Sequence, residues 1–196
     1  MLTKTQTDIM KVFISKIDKK FSIKQVSEIL NKKYPLVHRS IKPLIEKNYL
    51  LKDEQDLISL NYRDNHSDLA FLESIRKSGF LEKEKVLKLF FQDCLKSIPT
   101  DFFISIVFGS SVEKNGRDVD LLFIFSKEDL EKNEKIIRNI SKNFTLNLDI
   151  NVIPVESAYE MLSKREEPNV LNELLNKHLI LFGGETFYKI LNNARK

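Results

Sequence analysis

Cysteine, tryptophan, glycine and proline are all scarce in this sequence. Its 196 residues include one cysteine, Cys94, no tryptophan, five glycines and five prolines. One cysteine cannot form an intrachain disulfide, and no Cys/His cluster has the spacing of a zinc site. We interpret Cys94 as a small core residue rather than a catalytic thiol. The low glycine and proline content excludes collagen-like and low-complexity chains and favours an ordered, helix-rich protein.

Long hydrophobic runs are also missing. No apolar segment approaches the roughly 20 residues that a membrane-spanning helix needs. The first residues, Met1 to Lys4, lead into a polar amphipathic segment without the apolar core of a signal peptide. We therefore expect a cytoplasmic protein with no membrane partner.

Positive charge is concentrated in the amino-terminal third. The net charge of the chain is +4. Residues 1–63 contain 13 Lys and Arg against 7 Asp and Glu, whereas residues 64–196 contain 19 against 21. This asymmetry is typical of a polyanion-binding module joined to a near-neutral one, although a solvated lysine-rich surface gives the same count. We predict two domains, residues 1–63 and 64–196, with the boundary within residues 61–67.

The first domain is predicted to contain three helices followed by a hairpin. Apolar residues at spacings of three and four indicate helices over residues 5–17, 23–30 and 35–48. Ser22 is placed to cap the second helix, Pro35 fits the first turn of the third, and Pro43 is expected to bend it. Residues 49–52 and 57–60 flank a polar turn and read as two strands.

This order is that of a winged helix-turn-helix. Residues 21–60 resemble the winged helix-turn-helix domains of prokaryotic transcription regulators, including the phrase from Ile41 to Leu50 that leads into the wing. In that fold the third helix enters the major groove and the wing touches the backbone. The resemblance implies nucleic-acid contact by Lys33, His38, Arg39, Lys42 and Lys52. The same fold also serves in protein docking and dimerisation, so a protein partner and a homodimer stay open as alternatives.

Two more helices are predicted before the second domain's first strand. One is expected over residues 67–78, with Ser67 as its cap and Gly79 as its stop, and the other over residues 81–97, closed by Pro99. The aromatic pair Phe90 and Phe91 in the second of these is interpreted as core.

Carboxylates and a Gly-Ser turn interrupt three apolar strands of the second domain. Residues 102–108 predict a buried strand that ends at Gly109 and Ser110, and residues 121–125 continue a second strand from Asp118 and Asp120. Residues i and i+2 of a strand share a face, about 7 Å apart at the backbone. Two like charges so close favour a divalent cation, and oxygen ligands favour Mg²⁺ or Mn²⁺.

A third carboxylate stands in a third apolar strand. Residues 146–153 alternate apolar and polar side chains, and Asp149 is the single acid among them. A carboxylate in such a run is unfavourable without a partner.

These motifs resemble the nucleotidyltransferases of the DNA polymerase beta superfamily, especially the minimal nucleotidyltransferases of prokaryotes. The resemblance spans residues 82–190 and includes the phrase from His178 to Tyr188, which is similar to a common ending of these enzymes. It departs from them in the loop between Ser110 and Asp118, which is shorter and lacks the usual small-Arg-Gly beginning.

The resemblance implies roles for these residues. The Gly-Ser turn is expected to open a helix whose amides and hydroxyls hold the nucleotide's phosphates. Asp118 and Asp120 would ligate two metal ions around the triphosphate, and Asp149 the metal that activates the attacking hydroxyl. The implied nucleotide-binding residues are Gly109, Ser110, Ser111 and Arg117, although a simple solvated loop is an alternative interpretation of Arg117.

The sequence thus predicts an α+β protein, a winged helix-turn-helix followed by a nucleotidyltransferase fold with a mixed sheet flanked by helices. The first functional hypothesis is transfer of a nucleoside monophosphate from a nucleoside triphosphate to an acceptor hydroxyl, with a protein acceptor as one option. The resemblance makes a toxin-antitoxin system one setting. The alternative is a DNA-binding regulator whose nucleotidyltransferase-like domain does not catalyse.

Overall fold

The computed structural model describes residues 2–112 and 118–196. Within these two stretches the chain forms helices with a two-stranded hairpin first, and then a four-stranded sheet with further helices. The helices are α1 (Lys4–Ile14), α2 (Ile23–Ile29), α3 (Tyr34–Glu46), α4 (His66–Leu81), α5 (Lys85–Ser97), α6 (Leu130–Ser141), α7 (Val155–Ser163), α8 (Val170–Leu174) and α9 (Gly184–Ala194). The strands are β1 (Leu50–Lys52), β2 (Ile58–Leu60), β3 (Ile104–Phe108), β4 (Asp118–Phe125), β5 (Asn147–Pro154) and β6 (His178–Phe182). None of the described helices is both long and apolar enough to cross a membrane.

Capping side chains fix where the first helices begin. Thr3 and Ser22 accept the backbone N–H groups of Gln6 and Gln25, and each glutamine side chain returns a bond to the cap backbone. Two otherwise unpaired backbone donors are satisfied at each helix start in this way. The predicted cap at Ser22 is therefore confirmed. Helix α3 runs through Pro43 as far as Glu46.

The hairpin after α3 is antiparallel. Leu50 lies opposite Leu60, and Lys52 lies opposite Ile58. An isolated bridge between Phe21 and Ile58 ties the hairpin to the segment before α2. Three helices followed by a hairpin are thus present as predicted, and their assignment as a winged helix-turn-helix stays a prediction.

The second half of the chain is built on a four-stranded mixed sheet in the order β5-β4-β3-β6. Strand β3 is antiparallel to both β4 and β6, whereas β4 and β5 are parallel. Helices flank the sheet, and the predicted α+β class is confirmed.

Several element boundaries differ from those predicted, among them the end of α1 at Ile14 instead of residue 17 and the start of α5 at Lys85 instead of residue 81. Helix α4 runs through Ser78 and Gly79 to Leu81, since Leu81 is buried and its packing outweighs the roughly 1 kcal/mol by which glycine disfavours a helix. Its N-cap position is Asn65 in the left-handed region, so Ser67 lies inside the helix. Strand β3 begins at Ile104, because Phe102 is exposed.

The two faces of the sheet belong to two apolar clusters. Alternate residues of β3 and β4, including Ile106 and Leu122, pack with α1, α4, α7 and α9 in the first cluster. Their neighbours Val107 and Phe123 pack with α5 and α6 in the second. Helices of the amino-terminal third share the first cluster with the sheet, so packing continues across the boundary proposed at residues 61–67.

Arg195 is a buried arginine that adds polar contacts across the same boundary. Its side chain is 4% exposed, and it donates to Asp18 Oδ1 at 2.5 Å, Asn172 Oδ1 at 2.8 Å and the carbonyl oxygen of Leu162 at 3.2 Å. The Ile17 N–H bonds the carbonyl oxygen of Leu175 at 2.9 Å nearby. The end of α1 is thus held against the region around α7 and α8.

We expect Arg195→Met to lower the free energy of unfolding by about 2–3 kcal/mol, because it leaves Asp18 and Asn172 without their buried partner. Urea denaturation followed by circular dichroism measures this. Lys189→Met is the matched control, since it removes an exposed ion pair to Glu185 that contributes little to stability. Equal effects of the two variants would contradict the role given to Arg195.

Candidate active site

A tight turn follows β3 at the edge of the candidate site. Gly109 has φ of 74°, in the left-handed region, and a Cβ atom there would overlap Asp120 Oδ2. Only glycine adopts this conformation readily and leaves that space to the Asp120 carboxylate. The Gly109 N–H also donates to the carbonyl oxygen of Lys177 at 3.1 Å, which ties the turn to the segment before β6.

The turn continues as a short 3₁₀ helix, Gly109–Val112. The Gly-Ser turn therefore opens a helical segment, which the structure describes only up to residue 112. Ser110 is exposed, whereas Ser111 is buried and its hydroxyl donates to the carbonyl oxygen of Phe108 at 3.0 Å. Of the two predicted phosphate-binding serines, only Ser110 presents its side chain to solvent.

The three predicted aspartates lie together at the start of β4 and β5. Asp118 and Asp120 are two residues apart on β4, and Asp149 lies beside Asp120 in the parallel register. Asp120 is also opposite Phe108, the last residue of β3. Strand pairing thus brings the three carboxylates and the Gly109 turn to one corner of the sheet.

Asn147 is a neighbour of this group that the sequence did not indicate. It pairs with Asp118 across the strands, and its side-chain amide donates to Asp118 Oδ1 at 2.6 Å. Its position two residues before Asp149, on the same strand face, was the available signal. The bond orients the Asp118 carboxylate.

Crowding changes the acidity of the central carboxylate. Burial raises the pKa of Asp120 above its usual value, and the charges of Asp149 and Asp118 raise it further. Binding of a positively charged group at this site would therefore relieve the repulsion between the three carboxylates.

The donor set fits a divalent cation in its chemistry. All three side chains offer oxygen, the ligand that Mg²⁺ and Mn²⁺ prefer. Among the residues that the structure describes, no group of three or more His, Cys, Asp or Glu side chains is arranged to hold a metal ion.

Arg117, the remaining predicted nucleotide contact, belongs to residues 113–117 and lies outside the described residues.

A buried ionic network behind the turn was also missed from the sequence. Glu73 on α4 is 1% exposed and lies 2.8 Å from the Arg76 guanidinium and 3.4 Å from His178 Nε2. Arg76 also donates to the carbonyl oxygen of His178 at 2.7 Å, and His178 pairs with Phe108. Burial disfavours the charged carboxylate, but Arg76 and His178 outweigh it and lower the pKa of Glu73. In the sequence, this ion pair was indicated only by the i, i+3 spacing of Glu73 and Arg76 on an apolar helix.

The predicted nucleic-acid contacts form a second, separate group. Lys33, His38, Arg39, Lys42 and Lys52 are all exposed, on or beside α3 and on β1. A groove of about 370 Å³ brings three of them, His38, Lys42 and Lys52, around an isoleucine floor. Lys33 and Arg39 do not line it.

Nearby carboxylates offset part of this positive charge. Lys42 Nζ lies 3.9 Å from Glu46, and Lys52 Nζ lies 2.5 Å from Asp56. Both pairs are exposed, so each is weak and readily exchanged for a phosphate.

Removing charge from the crowded carboxylates should stabilise the metal-free protein. A raised folded-state pKa means that Asp120 contributes stability below its unfolded pKa, near 3.8, and loses it as pH rises through the folded value. We expect Asp120→Asn to be more stable than the wild type at pH ~7 and to lose this advantage at pH ~3. Denaturation with chelator present at both pH values measures the difference. Asp101→Asn, in an exposed loop, is the control; an Asp120→Asn protein no more stable than wild type at neutral pH contradicts the argument.

Comparison of the chain with protein-family models, with curated proteins and with solved structures finds no match.

Proposed function

We propose that this protein is a metal-dependent nucleotidyltransferase and a member of the minimal nucleotidyltransferases of the DNA polymerase beta superfamily. It would move a nucleoside monophosphate from a nucleoside triphosphate to an acceptor hydroxyl. The observation that carries the proposal is the register that sets Asp149 beside Asp120, next to Asp118 and the Gly109 turn.

In the proposed reaction the acceptor oxygen forms a bond to the α-phosphorus, the bond from that phosphorus to the leaving oxygen breaks, and pyrophosphate departs. The hydroxyl proton passes to a base, which the Asp149 carboxylate would supply, as the new bond forms. Two Mg²⁺ or Mn²⁺ ions would neutralise charge on the triphosphate. Most of the rate enhancement expected from the protein is positioning of the reactants.

Each residue of the candidate site has its own role in the proposed reaction. Gly109 leaves room for the Asp120 carboxylate, and the exposed Ser110 hydroxyl can donate to a phosphate. Asp118, oriented by Asn147, and Asp120 would hold the metal ions. Asp149 is assigned to activation of the acceptor hydroxyl.

A second proposed activity belongs to the amino-terminal third. The excess of basic residues in residues 1–63 and the exposure of all five predicted contacts on and around α3 support nucleic-acid binding by a winged helix-turn-helix. If catalysis is absent, this activity alone would make the protein a DNA-binding regulator.

The carboxylates should separate into two functional classes. We expect Asp118→Asn and Asp120→Asn to abolish Mg²⁺-dependent triphosphate binding, because each removes a ligand of ions that bridge protein and triphosphate. Asp149→Asn should keep most nucleotide affinity and lose transfer by about 100-fold or more. Calorimetry with each triphosphate measures binding, and incubation of labelled triphosphate with cell lysate measures transfer.

Asp101→Asn serves as the matched control and should retain both activities. Absence of nucleotide binding by the wild type with either metal would refute the catalytic proposal and favour the regulator.

Nucleic-acid binding should depend on α3 rather than on charge alone. We expect the affinity of the full-length protein for duplex DNA to fall steeply as salt rises, since bound lysines and arginines release counterions. Replacing Arg39 and Lys42 with glutamine should lower the salt slope by about 2. The control replaces exposed Lys4 and Lys19, which should change binding little. Equal effects of the two double variants would refute the placement of α3 on the nucleic acid.

A further inference from the structure

A cavity separate from both proposed sites lies between the amino-terminal third and α4. Its volume is about 400 Å³, and its walls come from the start of α1, the segment after α3 and the α4 helix. Pockets for small ligands start at about 300 Å³. None of its lining residues is one of the three site aspartates or one of the five predicted nucleic-acid contacts.

One wall of this cavity is apolar. Phe71, Leu72 and Ile75 line it from α4, and Leu2, which precedes α1, adds a fourth apolar side chain. Leu72 is buried, but the Phe71 side chain is 64% exposed, the largest exposed fraction among the exposed large hydrophobic residues described. An apolar ligand group in the cavity would remove part of this surface from water.

The cavity lining also carries opposite charges that do not neutralise each other. Asp68 and Lys47 both line the cavity. Among the described residues, Lys47 has no carboxylate within 4 Å, so it is not paired with Asp68. The two charges are therefore available to a ligand that carries one charge of each sign.

Tyr49 fixes the carboxylate in place. Its hydroxyl donates to Asp68 Oδ2 at 2.5 Å, and this bond, with burial and the Asp68 charge, raises the pKa of Tyr49 to about 12. The hydroxyl therefore stays protonated and keeps donating at physiological pH. Asp68 also lies in the first turn of α4, where the helix dipole favours a negative side chain.

We propose that this cavity, which we call the α4 cleft, binds a free α-amino acid with an apolar side chain. Asp68 would pair with the ammonium group, Lys47 with the carboxylate, and the wall around Phe71 with the side chain. Because the walls come from both sides of residues 61–67, a bound amino acid would contact the amino-terminal third and α4 together.

The test compares three compounds on the full-length protein by ligand-observed NMR. L-Phenylalanine carries both charges, phenethylamine lacks the carboxylate, and 3-phenylpropionate lacks the ammonium. We expect L-phenylalanine to bind about tenfold tighter than either analogue. Lys47→Gln should remove its advantage over phenethylamine, and Asp68→Asn its advantage over 3-phenylpropionate.

Exposed phenylalanines supply the matched control. Phe71→Ala should weaken binding of L-phenylalanine, whereas Phe102→Ala, at a residue that is 49% exposed outside the cleft, should not. Asp118→Asn should leave amino-acid binding intact, so failure of the nucleotidyltransferase proposal would not affect this one. Equal affinity for the three compounds, or no binding of either L-phenylalanine or L-leucine, would overturn the proposal.

Discussion

The parallel pairing of β4 with β5 is the interaction on which the candidate active site depends. It sets Asp120 beside Asp149 and Asp118 beside Asn147. Side chains alternate between the two faces of a strand, so a slip of one residue would move Asp149 to the opposite face and bring an apolar neighbour into the acidic corner. The long apolar part of β4, buried from Leu121 to Phe125, opposes such a slip because its side chains belong to two different clusters.

The same pairing places like charges together, which the surrounding packing has to offset. Burial and two neighbouring carboxylates disfavour ionisation of Asp120, whereas the strands behind it are almost fully buried. The sheet thus uses apolar packing to hold an arrangement that electrostatics opposes. Strain of this kind concentrates at functional sites, and the proposed metal ions would relieve it.

Local patterns in the sequence predicted the elements, but not the contacts between distant ones. The apolar runs around Asp118 and Asp149 were sufficient to predict two strands, and the spacing in residues 1–60 was sufficient for three helices and a hairpin. The partner of each strand depends on residues far apart in sequence, so the Asn147 bond to Asp118 was not visible. Gly79 was predicted to end the helix, because the burial of Leu81, which extends the helix past it, becomes visible only in the fold. Helices α6, α7, α8 and α9 and strand β6 were not predicted.

The contacts of Arg195 bear on how the protein folds during synthesis. Helix α1 shares a cluster with Leu171, Leu174 and Leu191, and Asp18 bonds Arg195 itself. A ribosome makes these partners more than a hundred residues after α1, at about 5–20 residues per second. For that interval, on the order of ten seconds, the first helices leave apolar surface uncovered. The amino-terminal third therefore reaches its final packing only after translation has passed residue 195.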